Sequence, residues 1–302
     1  MKNETKGMLL ALAAAIISGV TIPLNKYFIV NLDPTVFTAV RAVIIGVVFL
    51  AIALYESGTK HKKFKKVPWK YLLAIAVIGG AFAFLLYFNG LVLTTAARAA
   101  FLQKTLPLFT APLAFVFLKE KITRGMAFAL LAMFIGLVIL SAAQIAPTPL
   151  WANPSLGDLM IIMATVLWAV EAVIAKKVMT MGETNFVVSF ARMFFGGLVL
   201  FGFVILFGKV AILLALSMQQ WINILVSTAL LLFYVLFWYW SIKYINVSKS
   251  TALLVVAPII SLIGGVMLFG EPLSTFELLG CAIILVSMYF LGRAKSESRD
   301  KP

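Results

Sequence analysis

The sequence has little of what catalysis and metal binding require. It contains one cysteine and one histidine, and only 11 Asp and Glu residues against 25 Lys and Arg. The single Cys281 excludes a disulfide within the chain, and the single His61 excludes a metal site built on histidines. The sequence has no phosphate-binding glycine loop followed by Lys-Ser or Lys-Thr, which argues against ATP as an energy source. We therefore expect a protein that is not an enzyme and needs no cofactor or metal.

Charged residues are also scarce, at 12%, whereas 63% of the residues are hydrophobic. A soluble domain has about 25% charged and about 45–50% apolar residues. Apolar runs of roughly 20 residues recur along the chain, and each is long enough to cross a bilayer core of about 30 Å as a helix. The longest polar insert is Glu56 to Lys70. The sequence therefore predicts an all-α integral membrane protein in contact with the lipid bilayer.

Ten of these runs are predicted to be transmembrane helices. Their bounds are about 7–30, 35–55, 70–93, 95–118, 123–142, 157–178, 184–207, 218–243, 247–269 and 274–292. Most Lys and Arg residues fall in connectors on one side, and only Lys26, Arg98 and Lys209 lie near the other side. By the positive-inside rule, both termini are cytoplasmic. This distribution explains the net charge of +14 without a nucleic acid partner.

The two halves of the chain resemble each other. Residues 1–142 form a predicted first five-helix repeat, residues 143–156 an external linker, and residues 157–302 a second repeat with a short cytoplasmic tail. Five spans per half is an odd number, so the second copy enters the membrane from the opposite side, as in inverted-topology repeats. The less common residues that match in register are Lys26 with Lys176, Arg41 with Arg192, Pro107 with Pro258, and Glu120 with Glu271.

Short motifs within these repeats resemble a known family. Lys119-Glu120 closes span 4, Gly270-Glu271-Pro272 closes span 9, and a proline lies midway through both spans. This arrangement resembles the drug/metabolite transporter superfamily, in particular its EamA-type branch. Residues 167–176 resemble the Trp-x7-Lys pattern of that branch, although Ser18 stands in the first copy where Trp168 stands in the second. The resemblance implies a permease of the inner (plasma) membrane, often an exporter of amino acids, other metabolites or drugs.

Lys104 is the first candidate for binding a substrate. It lies about nine residues into span 4, where a lysine costs about 2.5–3.5 kcal/mol on insertion scales and should face a cavity or a partner. We predict that it anchors an anionic or zwitterionic substrate. The alternative is a structural ion pair with Glu171.

Glu171 is the only acidic residue deep in any predicted span. It is predicted either to take up and release protons during transport or to be a fixed partner of Lys104 or Lys26. Arg41 could join a vestibule that attracts anions. For both Arg41 and the matching Arg192, the alternative is a side chain that reaches the membrane interface.

Aromatic, amide and proline residues complete the predicted site. The predicted binding residues besides Lys104, Glu171 and Arg41 are Asn25, Tyr87, Trp168, Tyr234 and Trp238. For the aromatic residues of span 8, packing or an interfacial belt is the alternative. Pro23, Pro107 and Pro258 are predicted to interrupt their helices and to permit gating motions, because proline removes a backbone hydrogen bond.

These residues predict a secondary transporter that works by alternating access. The expected substrates are amino acids or related organic anions, with export as the expected direction and with proton coupling or exchange as the two possible mechanisms. The oligomeric state is open between monomer and homodimer. Two other functions remain: a flippase of a lipid-linked substrate, which predicts a lateral opening and tolerance of Lys104 loss, and a membrane sensor or scaffold that transports nothing.

Overall fold

The computed structural model describes residues 2–59, 68–145, 153–269 and 273–294. These residues are almost entirely helical, and no strand occurs among them. Ten spans are long and apolar enough to cross a membrane: Asn3–Asn31, Pro34–Glu56, Trp69–Leu93, Ala96–Phe117, Arg124–Ala142, Leu156–Thr180, Asn185–Leu206, Met218–Tyr244, Val247–Gly264 and Thr275–Arg293. They are numbered 1 to 10 below. The prediction of an all-α membrane protein with ten spans is confirmed.

Large apolar side chains cover the outside of the spans. Leu9, Phe128 and Phe276 are each more than 60% exposed. A soluble monomer rarely leaves so much apolar surface in contact with water. This surface is the one that lipid would cover.

The spans pack in pairs that repeat between the halves. Span 1 packs against spans 8 and 9, and its counterpart, span 6, packs against spans 3 and 4. Span 2 packs against its own counterpart span 7, and span 5 packs against span 10. Exchanging the two halves therefore reproduces the same set of neighbours, as expected for two inverted five-helix repeats.

Individual hydrogen bonds are also repeated between the two halves. The ammonium group of Lys26 donates to the carbonyl oxygens of Leu91 and Thr94 at 2.5 and 2.7 Å, at the end of span 3. Lys176 donates to Ile242 and Ile245 at 2.5 and 3.0 Å, at the end of span 8. Leu91 is equivalent to Ile242, and Thr94 is equivalent to Ile245, in the two repeats. Both lysines therefore satisfy the free carbonyl groups at a helix C-terminus.

Two equivalent glycines allow spans 2 and 7 to approach closely. A Cβ atom on Gly46 would lie 2.5 Å from the backbone of Phe194, and one on Gly197 would lie 2.9 Å from the backbone nitrogen of Val43. Phe194 and Val43 are themselves equivalent positions. The contact between spans 2 and 7 is therefore made twice by the same geometry.

Spans 4 and 9 are interrupted at matching places. In span 4, helix Ala96–Lys104 ends and helix Leu106–Phe117 begins with Pro107 in its first turn. In span 9, helix Val247–Leu253 is followed by a 3₁₀ segment, Leu254–Val256, and by helix Ala257–Phe269, which contains Pro258. The interruptions lie where the two prolines predict them. A role for these prolines in gating stays a prediction.

The predicted break at Pro23 is wrong, because span 1 stays α-helical from Lys2 to Phe28. The carbonyl group that loses its partner to Pro23 is that of Gly19, four residues earlier. The hydroxyl of Ser261 in span 9 donates to this oxygen at 2.5 Å. A side chain of the other half therefore replaces the missing backbone hydrogen bond, and the helix continues.

Two π-helical segments lie in spans 3 and 7. Span 3 consists of helix Trp69–Ile75, the π-helical Ala76–Phe82 and helix Ala83–Leu93. Span 7 consists of helix Asn185–Phe190, the π-helical Ala191–Phe195 and helix Gly196–Leu206. No pattern in the sequence predicts them, and the repeat-equivalent spans 8 and 2 are regular helices. A short helix, Val210–Leu214, precedes span 8.

Candidate substrate-binding site

A cavity lies among spans 1–4 and 6–9, and spans 5 and 10 do not reach it. Its volume is ≈ 820 Å³, including space that is open to solvent. All eight residues predicted to bind substrate line it: Asn25, Arg41, Tyr87, Lys104, Trp168, Glu171, Tyr234 and Trp238. The structure therefore brings these residues together from six different spans, although substrate binding by them stays a prediction.

Lys104 is the last residue of the first half of span 4, and only 3% of the residue is exposed. Its ammonium group donates to Ser18 Oγ at 2.7 Å and to Gln103 Oε1 at 3.1 Å. In the described part of the chain, no Asp or Glu oxygen lies within 4.0 Å of it. The alternative prediction of an ion pair with Glu171 is therefore wrong. A charged amine held only by neutral oxygens still has the capacity to bind an anion.

Glu171 has different partners from those predicted. Its Oε2 lies 3.8 Å from Arg192 Nη1, and its Oε1 accepts a short hydrogen bond from the hydroxyl of Tyr239. Arg192 Nη1 also donates to the Tyr239 oxygen at 3.3 Å. Neither Lys104 nor Lys26 takes part. The charge of Glu171, whose side chain is buried, is therefore balanced within the second repeat.

The location of Arg192 corrects a second expectation. Only 4% of the residue is exposed, so it does not extend to the membrane interface. Its guanidinium group lies over the rings of Phe84 and Tyr239, at 5.2 and 5.7 Å from their centres. Sequence reasoning missed Arg192 and Tyr239 as site residues. The match of Arg192 with Arg41 was the available signal.

Arg41 is fully buried, which also excludes a side chain that reaches the interface. Its Nη1 donates to Ser227 Oγ at 2.5 Å and to Asn25 Oδ1 at 3.3 Å. Its guanidinium carbon lies 4.2 Å from the ring centre of Phe37 and 4.7 Å from that of Phe88. Among the residues that the structure describes, none places a carboxylate beside it. Its Nε also has no hydrogen-bond partner there.

Aromatic side chains form the wall between the two repeats. Trp168 donates its indole N–H to the carbonyl of Gly79 at 3.1 Å. Its ring packs on Phe84 and Tyr87, with centres 5.5 and 5.1 Å away. The hydroxyl of Tyr87 is buried and has no hydrogen-bond partner within the described ranges. A buried hydroxyl without a partner is costly, so Tyr87 is a candidate donor to a bound ligand.

The charges in the cavity do not balance. Among the described residues, three cationic side chains and one carboxylate line it, and only Arg192 is paired with that carboxylate. The other two cations bond to the same helix, Lys104 to Ser18 and Arg41 to Asn25. These two helix positions are seven residues apart, a separation of about 10 Å along the axis. The cavity therefore presents two unneutralised positive charges along span 1.

A second, apolar cavity adjoins the first and shares Lys104 and Pro107 with it. Its volume is ≈ 1080 Å³, including space that is open to solvent. The lining comes from spans 4, 5 and 9 and the Ile122 segment, and it includes Leu108, Phe115 and Leu130. Lys104 thus stands at the boundary between a polar cavity and an apolar one.

The ends of spans 4 and 9 are tied to the rest of the bundle. At the start of span 4, Arg98 Nη1 pairs with Asp158 Oδ2 at 2.9 Å. At the equivalent position in span 9, Lys249 pairs with Glu4 at 3.0 Å. The carboxylate of Glu120, at the end of span 4, accepts the backbone N–H groups of Val247 and Ser248. Its repeat counterpart Glu271 lies outside the described residues.

The described residues contain no group of three or more His, Cys, Asp or Glu side chains that could hold a metal ion. The chemistry available in the cavity is therefore that of charged, hydroxyl and aromatic side chains.

Known proteins resemble this chain over most of its length. The model of the EamA-like transporter family matches residues 5–142 and again residues 155–293. A protein of Bacillus subtilis (strain 168) named uncharacterized transporter YyaM is 25% identical over 283 residues, which is 93% of this chain and 91% of that protein. An uncharacterized transporter of Archaeoglobus fulgidus is 23% identical over 278 residues, covering 89% of this chain and 92% of its own.

A solved crystal structure has the same fold. It superposes with a TM-score of 0.72 at 21% identity and covers 95% of this chain and 97% of its own. The family model matches the two halves separately, in agreement with two repeats of five spans. On these matches, the chain belongs to the EamA-like transporter family.

Proposed function

We propose that the protein is a secondary transporter of small organic anions or zwitterions, such as amino acids, across the inner membrane. One observation carries this proposal. Lys104 and Arg41 are buried in the cavity, and no carboxylate of the described residues neutralises either of them. Burying an unpaired charge is costly unless a ligand or water compensates it. An anionic group of a substrate is the partner that this chemistry favours.

The transport mechanism that we propose is alternating access. Spans 4 and 9 are interrupted beside the cavity at equivalent places, and each begins with an ion pair to the opposite repeat. Opening one of these ion pairs while the other stays closed would expose the cavity to one side at a time. Pro107 and Pro258 would be the points about which the half-helices move.

For the coupling, we favour exchange over proton transport through Glu171. Its carboxylate is held by Arg192 and Tyr239, so the ion pair must break before the group can serve as a proton carrier. If exchange is correct, replacing Glu171 by Gln leaves the dependence of transport on pH as it is in the wild type. A changed pH profile in a folded Glu171→Gln protein would instead support proton coupling.

Both termini are proposed to lie in the cytoplasm, and export is the proposed direction. The distribution of Lys and Arg supports this orientation. A topology reporter fused in the connector between residues 56 and 70 should report a cytoplasmic location. An external location would reverse the orientation and with it the assignment of the two sides of the cavity.

Uptake into proteoliposomes tests the proposal. A panel of labelled amino acids and organic anions is offered to the wild type and to Lys104→Met. Loss of a charge-assisted contact should lower transport by about tenfold or more. Lys209→Met is the matched control, because Lys209 pairs with Asp33 at 2.8 Å outside the cavity. Equal transport by Lys104→Met and the wild type would make Lys104 structural and the proposed anchor wrong.

A flippase of a lipid-linked substrate is the second candidate. The apolar cavity that shares Lys104 and Pro107 with the polar one favours it, because a lipid chain could lie there. This function predicts transfer of a lipid-linked probe between leaflets and tolerance of Lys104→Met. Uptake of water-soluble anions that depends on Lys104 would decide against it.

A further inference from the structure

The two buried arginines occupy equivalent positions of the repeats but have different surroundings. Arg192 lies over Tyr239, and Arg41 lies over Phe88, which is the residue equivalent to Tyr239. The position equivalent to Glu171 is Thr21, one turn of span 1 before Asn25. The first repeat therefore keeps the cation of this arrangement but lacks both the acid that neutralises it and the phenol that accepts its hydrogen bond in the second.

The difference extends to Lys104. Its equivalent in span 9 is Val255, and its hydrogen-bond partner Ser18 is equivalent to Trp168. The second repeat therefore has an apolar and an aromatic side chain where the first has an ammonium group and a hydroxyl. Within the described ranges, the unneutralised charge in the cavity belongs to the first repeat. Thr21 lies on the same face of span 1 as Ser18 and Asn25, between these partners of the two cations.

We propose that the cavity selects compounds with two anionic groups, one bound by Arg41 and the other by Lys104. The group at Arg41 would take, relative to its guanidinium, the place that the Glu171 carboxylate takes relative to Arg192. The inference rests on the proposed function and names its substrate class. Dicarboxylates, acidic amino acids and phosphorylated carboxylates belong to this class.

The spacing of the two cations limits the length of the substrate. Ser18 and Asn25, to which they bond, are separated by about 10 Å along the helix. An anionic oxygen lies about 2.8 Å from the nitrogen that it accepts from. Two anionic groups roughly 5–10 Å apart would therefore reach both cations. Malonate is too short, whereas glutarate and adipate fit.

Matched acids test the proposal in wild-type proteoliposomes. Labelled glutarate is compared with labelled valerate, which has the same number of carbons and one carboxylate, and unlabelled malonate, adipate and 3-phosphoglycerate are tested as competitors. We expect glutarate to enter about tenfold or more faster than valerate, and adipate and 3-phosphoglycerate to compete better than malonate. Equal rates for glutarate and valerate would overturn the inference.

Two variants of Thr21 test its equivalence to Glu171 directly. Thr21→Glu supplies the first repeat with the acid that Glu171 supplies to the second, and Thr21→Gln has the same size without the charge. We expect Thr21→Glu to transport glutarate at least about tenfold more slowly than Thr21→Gln. Equal rates in the two folded variants would contradict the proposal. If neither variant folds, as judged by size-exclusion profile, the matched acids decide alone.

The outcomes separate this inference from the proposed function. Lys104-dependent transport of monocarboxylates or neutral amino acids, without a gain from a second anionic group, would leave the proposed function standing and reject the inference. No transport of any organic anion or amino acid in the panel would reject both.

Discussion

The two repeats have the same arrangement of helices but differ in the groups that surround their buried charges. In the second repeat, Arg192, Glu171 and Tyr239 satisfy one another. In the first repeat, Arg41 and Lys104 are held by neutral oxygens and aromatic rings. The helix-end contacts of Lys26 and Lys176 and the close approach of spans 2 and 7 occur in both halves, whereas the neutralisation of buried charge differs between them. We propose from this comparison that one half stabilises the cavity and that the other binds the solute.

The largest effect on stability is expected from Arg192→Gln. It leaves Glu171 as a buried carboxylate without its cation, which costs about 3–5 kcal/mol. Arg41→Gln removes a cation that no carboxylate of the described residues neutralises, so its cost should be clearly smaller. Thermal unfolding in detergent measures both. Equal destabilisation by the two variants would mean that the repeats do not differ in the way described.

A smaller effect is expected from Gly80→Ala, which tests the contact between the two π-helical segments. A Cβ atom there would lie 2.0 Å from the carbonyl oxygen of Arg192, and overpacking of this kind typically costs about 1–3 kcal/mol. Gly202→Ala in span 7 is the control, since nothing lies within 4 Å of its added methyl group. If both variants unfold at the wild-type temperature, the contact is looser than described.

The smallest effect is expected from Ser261→Ala. This hydroxyl is the partner of the Gly19 carbonyl that Pro23 frees, and Pro23 has no proline counterpart in span 6, where Val173 stands. Removing one such hydrogen bond should lower the unfolding free energy by about 1 kcal/mol. The matched test is Ser261→Ala in a Pro23→Ala background, where the backbone bond is restored and the loss should shrink. A loss of the same size in both backgrounds would contradict this role for Ser261.

The sequence predicts the fold well, because the features that determine it are periodic or charged. Runs of apolar residues define the ten spans, and Pro107 and Pro258 mark the interruptions of spans 4 and 9. It predicts Pro23 wrongly, since the compensating Ser261 is 238 positions away in the chain and only packing brings it near. The π-helical segments are missed because a single extra residue per turn leaves no periodic signal.

The residues of the candidate site could be predicted from the sequence, but their hydrogen-bond and ion-pair partners could not. Lys104 and Glu171 stand out as charges in apolar runs, and both line the cavity. Their pairing depends on side-chain direction across helices, which spacing along one helix does not define. Tyr239 illustrates the limit, because it lies in the aromatic run of span 8 and resembles an interfacial belt residue until its contact with Glu171 is seen.

The most direct test compares the removal of an unpaired cation with the removal of a paired one. Arg41→Gln and the double variant Glu171→Gln with Arg192→Gln are assayed for uptake of the anion that the wild type transports best. The double variant removes a neutral pair, which is often tolerated when both partners go together. We expect Arg41→Gln to reduce uptake by about tenfold or more and the double variant to reduce it by less than about threefold. The reverse order, in proteins that fold equally well, would contradict the assignment of the binding charges to the first repeat.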